Sequence, residues 1–316
     1  MRVLVLGGSG FLGRYVASAL ASRGHHVEIG SRRRVLHGDG RAVREARFEA
    51  LTSVAAWQPL LAGVAAVVNC VGILRARGAA TYECVHHAAP AALAQACARR
   101  GIRLIHVSAL GLAANARSGF IVSKRRGEAA IRASGADYTI VRPSLLDGEG
   151  GFGARWVRLA AQWPLHFVPR DATGRIAALD VADAGAAIAR LVELPGVAHR
   201  EVELGGVDWR TFEAHLAAMR RIERKALVIH LPPLLARIAS HVCDALHLSP
   251  YSFGHLELLR RDNVPAPNLL PRLLGRAPHR VGALSAGRAG WFARGRASLA
   301  PSAGRDGGST PIAPRP

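Results

Sequence analysis

The stretch that most constrains this chain is "VLVLGGSGFLG", close to its start. An apolar run ends in glycines, and a helix-like pattern begins at once. Gly7 permits a tight turn, Gly10 lets the backbone approach a pyrophosphate, and Gly13 lets helix and strand pack closely. The helix mouth at Phe11, Leu12 and Gly13 offers unpaired N–H groups and a positive dipole end to phosphates. Alone, such glycines say little. Between a strand and a helix they specify a dinucleotide-binding turn.

The rest of the first half agrees with that turn. Strands are expected at residues 2–6, 27–30, 64–70, 102–108 and 138–142. Helices are expected at residues 11–23, 88–100 and 119–134. Strands alternating with helices of this length imply βαβ units and a parallel sheet. The expected architecture is α/β: a Rossmann-type doubly wound parallel sheet, a small, mostly helical C-terminal lobe and a disordered tail. Residues 1–145 form the binding domain, completed by 176–205. Residues 146–175 and 206–281 form the lobe, with 209–261 read as helical and broken at Pro232, Pro233 and Pro250. Residues 282–316 are rich in Gly, Ala, Arg, Ser and Pro and are read as a basic, disordered tail.

Composition narrows the function. Four scattered cysteines without a C-x-x-C pair indicate neither a zinc site nor a disulfide framework. The histidines His25, His26, His86, His87 and His106 do not share a ligating face, so no metal is expected. The net charge of +20 creates a positive field suited to anionic cofactors or an acidic membrane surface. No nucleic-acid-binding motif accompanies that charge, and no nucleic-acid partner is expected. Apolar runs are too short to span a bilayer, and "MRVLVLGG" reads as a strand, not a signal peptide. The expected location is cytoplasmic or peripheral at the inner membrane surface. Residues 231–248 are amphipathic; such a helix ordinarily packs on its own domain, although it can touch a membrane or a partner.

The spacing G-x-x-G-x-x-G resembles the atypical and extended short-chain dehydrogenase/reductase superfamily. The likeness continues through "NCVG" (Asn69, Cys70, Val71, Gly72), "HVSALG" with Ser108, "SKRRGE" with Lys124, and "VRPS" (Arg142, Pro143, Ser144). "YSFGHLELLRRDNV" resembles bacterial relatives of the NADPH-binding accessory subunit of respiratory complex I. The resemblance implies that the "NCVG" and "VRPS" segments lie against the cofactor. It makes Ser108 and Lys124 the catalytic candidates. His86 stands where the family often has Asn, and Ala50 where it often has an adenine-contacting Asp.

NAD-binding members carry an acidic residue at the end of the second strand, for the ribose 2′-hydroxyl. Here that position is Ser31, followed by Arg32 and Arg33. Serine can hydrogen-bond a 2′-phosphate and the arginines can neutralise it, so NADP(H) is expected over NAD(H). Glu28 lies mid-strand, out of reach of the ribose.

The superfamily's Tyr-x-x-x-Lys pair sits on one helix face, where lysine lowers the pKa of the phenol that transfers the proton. In "SGFIVSK" the tyrosine position is Phe120, while Lys124 remains. Phenylalanine has no proton to give. Either another group supplies it, Ser123 and Tyr82 being the candidates, or the protein binds NADP(H) with weak or no alcohol–carbonyl chemistry. Three functions stand open: a cofactor-binding protein linked to a respiratory complex or quinone metabolism, an NADPH-dependent reductase or epimerase with a displaced acid, and a redox-sensing regulator. The substrate or protein partner is not legible.

Overall fold

The computed structural model describes residues 1–32, 41–195, 200–246 and 251–282. Strands β1 (Arg2–Leu6), β2 (His26–Ser31), β3 (Val43–Glu45), β4 (Ala66–Asn69), β5 (Arg103–Val107) and β6 (Tyr138–Pro143) come in order. Four short or peripheral strands follow: β7 (Leu146–Asp147), β8 (Leu165–Pro169), β9 (Arg175–Ile176) and β10 (Leu179–Asp180). Last come β11 (Glu201–Leu204), β12 (Arg210–Thr211) and β13 (Leu227–Leu231).

Seven strands form one parallel sheet in the order β11-β6-β5-β4-β1-β2-β3. The chain leaves β1 for β2 on one side and later returns to pair β4 on the other. That reversal is the switch point where open α/β sheets bind ligands. Four of the five β1 residues are fully buried, as a central strand covered by helices on both faces requires.

The helices are α1 (Phe11–Ser22), α2 (Val54–Trp57), α3 (Ala89–Arg100), α4 (Gly119–Ala133) and α5 (Phe152–Gln162). They continue as α6 (Val181–Glu193), α7 (Phe212–Met219), α8 (Pro233–Leu246), α9 (Phe253–Leu259) and α10 (Leu270–Leu274). One face of the sheet is covered by α1 and α6. A Cβ at Gly185 would lie 2.9 Å from the Tyr15 backbone, so only glycine allows that approach. The other face carries α3, preceded by a wider π-helical turn at Glu83–Ala88, and α4. A Cβ at Gly127 would overlap the His86 carbonyl oxygen, which locks α4 against that turn. Asp180 caps α6 by accepting from Ala182 N–H at 2.8 Å.

The lobe departs from the sequence reading in two places. Residues 227–231 lie within the stretch read as helical, yet they form β13, paired in parallel with β8. A short, mostly apolar run such as LVIHL is ambiguous between helix and strand, and the β8 edge decides it. Pro233 does not break a helix; it opens α8, where its missing N–H costs nothing. Pro250 lies outside the described residues.

The second departure concerns α8 itself. It turns Ala236 and Ser240 inward and leaves Leu234, Leu235, Ile238, Val242 and Leu246 exposed. Packing on its own domain, the ordinary expectation, is not what its apolar stripe does. Beyond the lobe, α10 returns to α6, and Leu270 is buried in the core shared with α1. The expected disordered tail, apart from Gly282, lies outside the described residues.

Candidate active site

The glycine turn has the geometry of a phosphate cradle. Gly7 sits at φ +72°, in the left-handed region. Its N–H donates to Gly30 O at 2.8 Å, and Gly10 N–H donates to Gly7 O at 2.8 Å. A Cβ at Gly13 would overlap the Gly7 carbonyl oxygen and lie 2.8 Å from Gly8 Cα. Gly10 caps α1 without any side-chain acceptor, and Arg14 N–H makes the first helical bond, to Gly10 O. The N–H groups of Phe11, Leu12 and Gly13 precede that bond and remain for a ligand. The Phe11 ring meets Tyr15 edge-on at 6.4 Å, so its side chain packs and its backbone serves the cradle.

At the end of β2, Ser31 Oγ lies 3.2 Å from Ser9 Oγ, beside the turn. Arg32 is exposed next to it, and Arg33 lies outside the described residues. Glu28 is buried and paired with Arg44 and, at 3.4 Å, with Arg2. Its carboxylate is therefore occupied within the sheet. Ala50 ends a 3₁₀ turn and is exposed, while Phe48 at its start is buried.

The loop after β4 closes over Gly7. Asn69 is fully buried; its Oδ1 accepts from Val71 N–H and its Nδ2 faces His106 Nδ1, each at 3.1 Å. Asn69 thus shapes the loop. Burial pushes the Cys70 thiol up to about 12, which makes it a packing group. A Cβ at Gly72 would stand 3.9 Å from both Lys124 Nζ and His86 Nε2.

Helix α4 starts at Ser118, whose side chain accepts from Ile121 N–H. Phe120, Lys124 and Glu128, four apart, share its inner face and are all buried. Lys124 is 8% exposed. Among the described residues, nothing hydrogen-bonds its ammonium; it stands 5.6 Å from the centre of the Phe120 ring. Burial lowers its pKa to about 8, against the raising influence of Glu128.

Glu128 balances burial, which would raise its pKa, against Arg142, Ser108 and Arg132, which win and hold it low. Arg142 binds it through two nitrogens at 2.9 and 2.5 Å and reaches Glu201 at 2.9 Å. Ser108 Oγ is buried without a hydrogen bond of good geometry, although it lies close enough to Glu128 to contribute to that balance.

In "VRPS", Arg142, Pro143 and Ser144 each bond within the protein. Arg142 is committed to carboxylates. Pro143 O accepts from Leu110 N–H at 3.0 Å, and Ser144 Oγ donates to Asn263 O at 2.7 Å.

Phe120 is 7% exposed inside an aromatic cage. Tyr82 and His86 meet its ring edge-on at 6.1 and 5.5 Å, and His255 stacks on it at 5.9 Å. A Cβ at Gly254 would sit 3.0 Å from Phe120 Cβ. Gly254 and His255 belong to α9, which therefore covers position 120. Glu257 fixes α9 there by accepting the N–H groups of Arg117 and Ser118 at 2.8 and 2.9 Å. Asp244 accepts from Phe253 N–H at 2.9 Å and so ties α9 to α8.

His86 accepts from Ile73 N–H through Nε2, so its Nδ1 carries the proton toward Ser123 Oγ, 3.1 Å away. Burial, then Lys124, holds its pKa down at about 2. Ser123 Oγ donates to Phe120 O at 3.1 Å. The sequence reading named Lys124, Phe120 and Ser108, considered His106 only as a metal ligand, and missed Glu128 and the α9 cap. The i+8 spacing from Phe120 is the signal that could have found Glu128. For His255, 135 residues beyond Phe120 in the chain, no local signal exists.

A family described as NAD(P)H-binding matches residues 7–190. The chain belongs to that family. The ceramide reductase of Caulobacter vibrioides is 30% identical over 275 residues, covering 84% of this chain and 86% of that protein. The mitochondrial NADH-ubiquinone oxidoreductase 40 kDa subunit of Neurospora crassa is 26% identical over 272 residues, covering 83% of this chain and 72% of the subunit. Among solved structures, UDP-glucuronic acid 4-epimerase from Bacillus cereus, in complex with UDP-glucuronic acid and NAD, superposes with a TM-score of 0.63. It is 16% identical and covers 89% of this chain and 95% of its own, a likeness of fold. The NAD(P)H-binding assignment agrees with the uncapped α1 terminus and the glycine turn.

Proposed function

We propose that this protein holds NADP(H) and does not perform the ordinary alcohol–carbonyl reaction of its superfamily. The observation that carries this reading is position 120. A phenyl ring stands where a phenol is needed, and α9 covers it with His255 and Gly254. A bound nicotinamide supplies or accepts hydride; the chain must move the proton, and Phe120 cannot. The residues suited to hold the cofactor are the N–H groups of Phe11, Leu12 and Gly13, with Ser31, Arg32 and Arg33 for a 2′-phosphate. Lys124, a buried ammonium without a hydrogen-bond acceptor, is suited to ribose hydroxyls. Likeness to the complex I subunit supports a role in stabilising a respiratory assembly or serving its quinone chemistry. The test is calorimetric titration of nucleotide-stripped protein with NADPH and with NADH. Tighter NADPH binding, lost in Arg32→Ala/Arg33→Ala, is expected; binding of neither nucleotide refutes the reading.

One observation favours a reductase instead. The ceramide reductase relative spans nearly the whole chain, and Tyr82 places a phenol beside Phe120. Its hydroxyl donates to Leu74 O at 2.8 Å, and burial raises its pKa to about 12, which suits a structural hydroxyl better than an acid. NADPH oxidation with a long-chain keto-amide, abolished by Tyr82→Phe, would establish the reductase and overturn the first reading.

A further inference from the structure

The lobe turns apolar side chains outward on two successive elements. Of eighteen large apolar side chains exposed among the described residues, fifteen fall between Phe152 and Leu246. Such a concentration differs from the scattered single residues of an ordinary surface and marks an interaction face.

The first element is the β8–β13 pair. Its register sets Leu227 beside Leu165 and Ile229 beside Phe167. All four are exposed, whereas His166 and Val168, which alternate with them, are buried. A two-stranded ribbon normally shows solvent its polar side; this one shows its apolar side. The second element is α8, joined to β13 through Pro232. Leu234, Ile238, Val242 and Leu246 recur every fourth residue along its outer face, with Leu235 beside them. Leu234 is 68% exposed.

Charge identifies the occupant. The connection into β13, "RRIERK", exposes Arg221, Arg224 and Lys225 against Glu223 alone. Arg237 is exposed on α8 itself. Residues 283–316 add five arginines against one aspartate to a chain of net charge +20. Aliphatic and aromatic side chains flanked by cations fit an acidic lipid surface. A second copy would bring like charges together, and a nucleic acid has no use for the apolar stripe. No helix among the described residues is long and apolar enough to cross a membrane, so the arrangement suits lying in the interface plane.

We propose that the outer faces of α8 and the β8–β13 pair dock on an anionic lipid bilayer. Their apolar side chains enter the headgroup boundary, and Arg221, Arg224, Lys225 and Arg237 meet lipid phosphates. This surface is separate from the glycine cradle and does not depend on the cofactor reading.

The experiment is co-sedimentation of the full chain with vesicles of phosphatidylcholine alone or mixed with phosphatidylglycerol. Binding to the mixed vesicles is expected, with Trp163, exposed beside β8, quenched by brominated lipid. Ile238→Asp and Phe167→Asp should each weaken binding about tenfold, the cost of withdrawing one apolar anchor and adding a charge. Their melting temperature and dinucleotide affinity should match the parent. Lys225→Glu should weaken binding to the mixed vesicles. No sedimentation with either vesicle, or equal binding by the Asp variants, overturns the proposal. So does a self-associating parent that Ile238→Asp renders monomeric without changing vesicle binding.

Discussion

Lys124→Met should make the protein more stable and unable to bind its dinucleotide. The folded state holds the ammonium in a buried place without a hydrogen-bond acceptor, and its pKa falls from 10.5 to about 8. That depression corresponds to about 3 kcal/mol of destabilisation while the lysine is charged in both states. Below about pH 8 the penalty is complete. Between about 8 and 10.5 the unfolded chain still binds the proton and the folded one does not, so stability rises with pH. Above 10.5 the penalty has gone. Methionine has a similar length and no charge, so the variant should lack both the penalty and the rise. Urea denaturation of the nucleotide-free proteins, repeated from pH 7 to 11, measures this as a difference curve. The difference is needed because burial raises the Cys70 and Cys97 thiols to about 12, and their unfolded forms ionise first, lowering stability over part of the same range. Saturating nucleotide should reverse the order: at a hundredfold excess over Kd the parent gains about 2.7 kcal/mol and the variant none. A variant less stable than the parent by a similar amount would refute the reasoning. It would mean that the fold, and not a ligand, satisfies the ammonium.

Gly13→Ala should abolish dinucleotide binding and lower the melting temperature, because the added methyl overlaps the Gly7 carbonyl oxygen; calorimetry and thermal denaturation report the two effects. Glu128→Gln should cost about 3 kcal/mol in urea denaturation at pH 7, since it leaves Arg142 part-buried with a weakened partner. The Glu128 pKa is held low in the fold, so its stabilisation should be present above its unfolded pKa and disappear as pH falls through the folded value; the variant should flatten that acid limb. Ser31→Asp should weaken NADPH binding at least about tenfold and spare NADH, because a carboxylate repels a 2′-phosphate; titration of both nucleotides decides it.

The sheet and the glycine turn were legible because their determinants are local. Gly7, Gly10 and Gly13 act within one turn, and the buried runs of β1 and β4 carry their own signature. Lys124 and Phe120 were legible because a four-residue spacing places them on one helix face. The lobe was less so. Whether residues 227–231 become a strand depends on β8, sixty residues earlier, and which side of α8 meets solvent depends on what it packs against. The α9 cap was invisible for the same reason: stacking of His255 on Phe120 is a contact between distant segments, and neither segment implies the other.

Phe120 and Lys124 point in different chemical directions, and their burial resolves the difference. A phenyl ring offers no proton, but at position 120 it fills its cage of Tyr82, His86 and His255. Keeping Lys124 is another matter. A buried ammonium without an acceptor destabilises the empty protein, and a neutral side chain of the same length would relieve it. On the proposed reading a polar ligand beside Nζ relieves that cost; a Cβ at Gly72 would stand 3.9 Å from Nζ, so the β4 loop lies close to it. Binding and proton transfer are thus separable here. On that reading, the first rests on the glycine turn and Lys124. The second requires a hydroxyl at position 120 and an open approach to it, and α9 closes that approach. Phe120→Tyr alone should therefore leave NADPH oxidation at the parent's level, whereas turnover in that variant would show that α9 yields to substrate.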